Sequence, residues 1–176
     1  VVQPAAAANA GGDQNLCANP TATTTVTGNP PVPGTGMWTL VGGPGSPSIT
    51  SPTNTTTGVT GLAPGITTLR WTISNPPCSP TFDDVQLNVT ATPTISVTAN
   101  PSFTICNGGN TTLTATSTAS SYTWAPATGL SNPNIASPVA NPTATITYTV
   151  SGSFSGCVGT KTVTVNVVQP PDAANA

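Results

Sequence analysis

The sequence lacks the residues on which most enzyme chemistry depends. Its 176 residues include no histidine and no glutamate, and the acidic groups are four aspartates. Without histidine, neither a Ser–His–Asp nor a Cys–His arrangement can be assembled, and general acid–base catalysis has few groups left to use. We therefore predict no catalytic residue, and that this chain is not an enzyme.

Charge of either sign is scarce, and this scarcity excludes several partners. Charged residues make up 3% of the chain, and the only cations are Arg70 and Lys161. Nucleic-acid binding depends on lysine and arginine displacing counterions from phosphates, and anionic membrane surfaces attract the same cations. No apolar run approaches the roughly 18 residues of a membrane-spanning helix. The sequence predicts no nucleic-acid partner and no direct membrane insertion.

Ligands for metals and cofactors are also few. The only adjacent carboxylates are Asp83 and Asp84, which point to opposite faces of a regular strand. Calcium needs several oxygen ligands, and a zinc site would need a CxxC spacing or histidines that the chain does not have. The pair Gly108-Gly109 is followed by no lysine, which a phosphate-binding loop would require. We predict no metal site and no cofactor.

The residues that are present favour an all-β structure. Hydrophobic residues make up 36% of the chain, and 20 prolines and 17 glycines separate short runs in which apolar and polar residues alternate. Period-two alternation places one face of a strand on a core and the other in water. Four runs alternate most strongly, with these predicted inner faces: Leu69, Trp71 and Ile73; Val85, Leu87 and Val89; Ile146, Tyr148 and Val150; Val163, Val165 and Val167.

The two halves of the chain follow the same order of features. In each half a cysteine precedes the second strand, and a tryptophan, Trp38 or Trp124, lies on the third. Roughly seven short strands, a tryptophan on the third and a pair of strong final strands are typical of an immunoglobulin-like sandwich. We predict an all-β fold of two tandem immunoglobulin-like (PKD-like) β-sandwich domains, over residues 5–92 and 93–168.

The two ends of the sequence repeat each other. VVQPAAAANA opens the chain and VVQPPDAANA closes it, so that eight of ten residues recur at a displacement of 166 positions (167 minus 1). Recurrence at a fixed displacement is the signature of a tandem array. We expect residues 1–4 to be the end of a preceding repeat and residues 169–176 the start of the next one.

The four cysteines are divided equally between the halves, and three pairings are possible. Because each half is a complete domain, the favoured pairs are Cys17–Cys78 and Cys106–Cys157. Each bond would join the loop before the second strand to the loop after the sixth, near one end of the sandwich. The alternative is four reduced, buried thiols. Disulfides would indicate an oxidising compartment outside the cytosol.

The chain resembles a family of bacterial repeats in two strings of residues. NAGGDQNLC…GMWTLVGG…TTTGVTGLAPGITTLRWTISNPPCSPTFDDVQLNV resembles PKD-like/immunoglobulin-like repeats in giant secreted proteins of Bacteroidota. TISVTANPSFTICNGGNTTLTATSTASSYTWAPATGLS…TATITYTVSGSFSGCVGTKTVTVNV is similar to a second variety of the same repeats. The resemblance implies export by the type IX secretion system and a place in a cell-surface adhesin or filament. It carries over no catalytic residue.

These observations predict a structural role at the cell surface or outside the cell. The chain would be one period of a shaft, with neighbouring repeats of the same polypeptide as partners. A net charge of only −2 would allow identical shafts to associate side by side as a homo-oligomer or bundle. The alternative function is a carbohydrate-binding module, which an exposed coplanar pair of aromatic rings would favour; the candidates are Trp38, Trp71, Trp124, Tyr122 and Tyr148.

Overall fold

The structure is a computed structural model, and it describes residues 3–169. The first two residues and residues 170–176, which include most of the predicted start of the next repeat, lie outside the described part. The chain divides into two compact units, Val1–Ala91 (domain 1) and Thr92–Ala176 (domain 2). The predicted boundary, between residues 92 and 93, differs from this division by one position. Every regular element in residues 3–169 is a strand.

Domain 1 is a sandwich of two sheets built from seven strands. One sheet has the order β1-β7-β6-β3 and the other β2-β5-β4. The strands are β1 (Gln14–Ala18), β2 (Ala22–Thr27), β3 (Thr35–Gly42), β4 (Gly45–Ile49), β5 (Thr56–Leu62), β6 (Gly65–Ser74) and β7 (Thr81–Ala91).

Domain 2 repeats this architecture with seven strands of its own. Its sheets have the orders β11-β13-β14-β9 and β12-β10-β8. The strands are β8 (Ser96–Asn100), β9 (Thr104–Cys106), β10 (Thr111–Thr116), β11 (Ser121–Ala125), β12 (Val139–Ala140), β13 (Ile146–Phe154) and β14 (Cys157–Val168).

The predicted inner faces line the two cores. In domain 1 the alternating residues of β6 and β7 are at most 3% exposed: Leu69, Trp71, Ile73, Val85, Leu87 and Val89. In domain 2, Tyr148, Val150 and Val165 are fully buried, and Ile146, Val163 and Val167 pack against them partly buried. The period-two prediction is confirmed for all four strands, since threonine and other polar residues occupy the opposite faces.

One strand in each domain runs parallel to its last strand. β1 pairs parallel with β7, and β9 pairs parallel with β14, whereas the other strand pairs are antiparallel. A parallel pairing fixes which end of the sandwich each residue of the first strand occupies. We call the end that holds the β6–β7 or β13–β14 connection the hairpin end. The opposite end, where β7 or β14 finishes, is the exit end.

The chain enters each domain at its hairpin end. In domain 1, Asn75 Nδ2 donates a hydrogen bond to the carbonyl oxygen of Gln3 over 2.8 Å, and Thr81 Oγ1 donates to that of Ala6 over 2.6 Å. In domain 2, the carbonyl oxygen of Pro93 lies where a Cβ on Gly159 would stand. Each domain therefore receives the chain at one end and releases it at the other.

The side-chain hydroxyls of two buried threonines have no hydrogen-bond partner among residues 3–169. Thr67 and Thr111 are fully buried, and neither Oγ1 atom is bonded. An unsatisfied buried hydroxyl costs about 1–3 kcal/mol. We expect Thr67→Val and Thr111→Val each to raise the free energy of unfolding of its domain by about 1 kcal/mol, measured by urea unfolding.

Thr57 provides the matched control for this prediction. Its side chain is also buried, at 3% exposed, but its Oγ1 accepts a hydrogen bond from the Ser51 amide over 2.9 Å. Thr57→Val should therefore destabilise domain 1 by about 1–3 kcal/mol, because the amide loses its partner. Equal effects of the three substitutions would contradict the assignment.

Candidate functional site: the cysteine-bearing ends of the domains

Cys17 and Cys106 occupy the same position in their domains, at the exit end. Cys17 lies on β1 opposite Thr90 of β7, one residue before that strand ends. Cys106 lies on β9 opposite Val168, the last residue of β14. Both side chains are on the outer, exposed face of a short strand whose neighbouring residues face the core.

Cys78 and Cys157 occupy the hairpin end. Cys78 lies in the turn between β6 and β7, where its amide donates a hydrogen bond to the carbonyl oxygen of Asn75 over 3.1 Å. Cys157 is the first residue of β14, opposite Phe154. The two residues between them, Ser155 and Gly156, have φ angles of 47° and 83°, as a two-residue turn with left-handed conformations requires.

The predicted disulfide pairs are wrong. Cys17 and Cys157 are disulfide-bonded, whereas Cys78 and Cys106 are free thiols. The reason is the parallel register of β1 and β9, which the sequence did not reveal. From Thr81 to Thr90 β7 advances nine residues, and from Cys157 to Val168 β14 advances eleven. At about 3.3 Å per residue these are separations of roughly 30 and 36 Å, against the roughly 4.4–6.8 Å between Cα atoms that a disulfide allows.

The aromatic residues considered for sugar stacking are mostly in the cores. Trp38, Trp71 and Trp124 are at most 2% exposed, and Tyr148 is fully buried. Trp38 and Trp71 pack on each other with centroids 5.1 Å apart and ring planes tilted by 39°. The partly buried Tyr122 hydroxyl is hydrogen-bonded to Ser117 Oγ over 2.9 Å. The exposed coplanar pair that a carbohydrate-binding module would need is therefore not formed by these residues.

The two adjacent carboxylates point to opposite faces of β7 and have separate partners. Asp83 Oδ2 accepts a hydrogen bond from the Ala10 amide over 2.8 Å. Asp84 accepts two from Arg70, over 2.7 and 2.9 Å, and the same guanidinium lies 4.0 Å from the centre of the Phe82 ring. The hydrogen bond from Arg70 lowers the pKa of Asp84; burial opposes this shift, and the Arg70 charge adds to it. Because both side chains are about one third exposed, this pair contributes little to stability.

Ionisation of Tyr148 makes the stability of domain 2 depend on pH in the alkaline range. Its hydroxyl donates a hydrogen bond to the carbonyl oxygen of Thr128 over 2.7 Å, and burial raises the pKa of the phenol. Below about pH 10, the pKa of an unfolded tyrosine, Tyr148 is protonated in both the folded and the unfolded state, so it does not change the free energy of unfolding. Above it the unfolded chain loses the proton first, so stability falls as pH rises toward the folded-state pKa.

We expect the urea midpoint of domain 2 to fall between about pH 8 and about pH 11 because of Tyr148. Tyr148→Phe should lower the midpoint at pH 8, since a hydrogen bond worth about 1 kcal/mol is lost, but should flatten the alkaline decline. Parallel pH profiles for the two proteins would show that another group is responsible.

Residues 3–169 hold no cluster of three or more metal-ligating side chains. The same residues form no helix that could cross a membrane.

Comparisons with known proteins support the fold. No protein-family model matches the chain, and no curated protein matches it. Solved structures do match. The N-terminal eight immunoglobulin domains of Down Syndrome Cell Adhesion Molecule align with a TM-score of 0.64 at 14% identity, over 93% of this chain and 24% of that one.

Two further solved structures are similar over nearly the whole chain. Extracellular domains 3–5 of Drosophila OTK give a TM-score of 0.55 at 12% identity, over 95% of this chain and 63% of that one. The insect immune protein hemolin gives 0.51 at 12% identity, over 94% and 47%. This chain thus spans less than two thirds of each of the three. At such low identities the likeness establishes the fold alone: the predicted immunoglobulin-like β-sandwich is confirmed.

Proposed function

We propose that the chain is a structural repeat of a long extracellular shaft in a surface adhesin or filament. The observation that carries this proposal is that each domain takes in the chain at its hairpin end and releases it at its exit end. The last strands have 11 and 12 residues, so that each domain adds roughly 36–40 Å. Repetition of such domains lengthens a protein without adding a binding site.

Features of the sequence support the finer parts of this proposal. The recurrence of VVQP after 166 positions fits a tandem array, and the short connection around Thr92-Pro93 fits a stiff joint, since proline restricts linkers. The resemblance to repeats of giant Bacteroidota proteins favours type IX secretion as the export route. Disulfide-bonded Cys17 and Cys157 fit an extracellular location.

Small-angle X-ray scattering on a chain of two successive copies tests the shaft. Four domains of about 36–40 Å each should give a maximum dimension of about 150 Å and the pair-distance profile of a rod. The single-copy chain, at about half this length, is the control. Profiles that require freely reorienting domains would overturn the proposal.

We further propose that identical shafts associate side by side. The outer faces of the larger sheets are rich in hydroxyl groups, and Thr147 and Thr164 show the kind of contact such faces make, at 2.8 Å between their Oγ1 atoms. With little charge to repel a neighbour, these faces can meet through hydrogen bonds and water. Sedimentation at increasing concentration tests this in low and high salt. A strictly monomeric chain throughout would exclude it.

A further inference from the structure

Neither domain can form a disulfide of its own. Each domain has two cysteines at opposite ends, separated by roughly 30 Å or more of strand at about 3.3 Å per residue. Yet each domain contributes one disulfide-bonded cysteine, Cys17 in domain 1 and Cys157 in domain 2, and one free thiol. The disulfide-bonded cysteine of domain 1, Cys17, is at an exit end, and that of domain 2, Cys157, is at a hairpin end.

The covalent chain links those two ends. Cys17 lies opposite Thr90, and Pro93 follows three residues later. The carbonyl oxygen of Pro93 lies against Gly159, two residues after Cys157. Three residues span at most about 11 Å, so the exit-end cysteine of domain 1 and the hairpin-end cysteine of domain 2 are both fixed close to this short connection.

The free thiols have the same relation to the next copy of the sequence. Cys106 lies opposite Val168, and the Asn107 side chain donates a hydrogen bond to Gln169 Oε1 over 3.1 Å. In the recurring sequence Gln169 corresponds to Gln3. The sulfur of Cys78 contacts the carbonyl oxygen of Gln3 over 3.6 Å. In a tandem array, Cys106 would therefore lie beside Val168, and the Cys78 of the following copy would lie beside the next residue, Gln169.

We propose that the cysteines of this protein bond between successive domains. Cys17 pairs with Cys157 inside one copy, and Cys106 pairs with Cys78 of the next copy, so that every junction carries one disulfide. The inference rests on the tandem array of the proposed function. Each free thiol has an oxidised counterpart in the other domain. Cys106 occupies the exit-end position of Cys17, Cys78 occupies the hairpin-end position of Cys157, and both counterparts are disulfide-bonded.

The bond forms by thiol–disulfide exchange with an external disulfide. The Cys106 thiol loses its proton, and the thiolate attacks a small disulfide such as oxidised glutathione, releasing one glutathione thiolate. The thiolate of Cys78 from the next copy then attacks the mixed disulfide at the Cys106 sulfur and releases the second glutathione. Two thiols of the protein are oxidised, two electrons reduce one glutathione disulfide, and two protons are transferred in total.

Peptide mapping of the 176-residue chain tests the bond within one copy. After the free thiols are blocked with iodoacetamide, chymotrypsin separates all four cysteines by cutting after the aromatic residues Trp38, Trp71, Phe82, Phe103, Tyr122 and Phe154. We expect one linked peptide pair containing Cys17 and Cys157, with Cys78 and Cys106 alkylated. Linked pairs within a domain, or four alkylated cysteines, would overturn the proposal.

Controlled oxidation tests the bond between copies. With oxidised glutathione, the chain should form a ladder of multimers on non-reducing gels, and dithiothreitol should collapse it. Cys78→Ser and Cys106→Ser chains should each be unable to form the ladder, yet a mixture of the two should give dimers that join Cys106 to Cys78. Homotypic dimers at the statistical proportion, or no dimers, would overturn the proposal.

The outcomes separate this inference from the shaft itself. If a two-copy chain scatters as a rod but its map lacks the Cys106–Cys78 peptide, the shaft stands and the junction disulfide fails. If the two-copy chain contains that peptide but scatters as freely reorienting domains, the disulfide stands and the stiff shaft fails.

Discussion

Replacing Trp71 by alanine is expected to lower the free energy of unfolding of domain 1 by about 3–5 kcal/mol. The indole is fully buried between the sheets and packs on Trp38. Gly28 and Gly36 make room for it, since a Cβ on either residue would overlap the ring. Its Nε1 donates a hydrogen bond to the carbonyl oxygen of Asn29 over 3.2 Å. Alanine would leave a large cavity and remove the donor to this carbonyl.

A loss of this size is a large part of the stability of a small domain, which is about 5–15 kcal/mol in total. Differential scanning calorimetry should show the transition of domain 1 at a much lower temperature and that of domain 2 unchanged. Phe82→Ala is the aromatic control, because Phe82 is 60% exposed on the outer face of β7 and its contact with Arg70 is worth about 0.5–1 kcal/mol. A shift of both transitions by the same amount would contradict the prediction, because the core that Trp71 fills belongs to domain 1.

The fold could be predicted from the sequence because the strongest signal in the sequence, the alternation of apolar and polar residues, is local. Alternation over Leu69, Trp71 and Ile73 depends only on neighbouring residues, and burial against an opposite sheet follows from it directly. The same holds for Tyr148 and Val150 in domain 2. The buried Thr67 lies on the same face as Leu69, so continuing the alternation by one step would have placed it in the core.

The disulfide pairing could not be predicted because it depends on a non-local register. The alignment of the two halves placed Cys17 and Cys106 in the loop before the second strand of each domain. Residues 14–18 instead form a strand whose parallel pairing with β7 carries Cys17 to the exit end. A five-residue alternation with Leu16 and Ala18 turned inward is the only signal of this strand in the sequence. It does not say which edge the strand joins, or in which direction.

Gly159→Ala is expected to destabilise domain 2 by about 1–3 kcal/mol or more, as overpacking of a well-packed core does. A Cβ at this position would overlap the carbonyl oxygen of Pro93. The neighbouring Gly152, paired with Gly159 across β13 and β14, receives the Ile95 side chain, whose Cδ1 would be 3.0 Å from a Cβ there. The glycine pair thus forms the surface on which residues 93–95 enter the domain.

The backbone carbonyl cannot rotate away as a flexible side chain would, so the substitution must move either β14 or the entering segment. Val158→Ala and Thr160→Ala are the matched controls, because both residues are exposed on the same strand and should change the urea midpoint little. Hydrogen exchange in residues 93–97 should rise in Gly159→Ala and in neither control. Unchanged exchange together with an unchanged midpoint would mean that Pro93 does not lie against this glycine in solution.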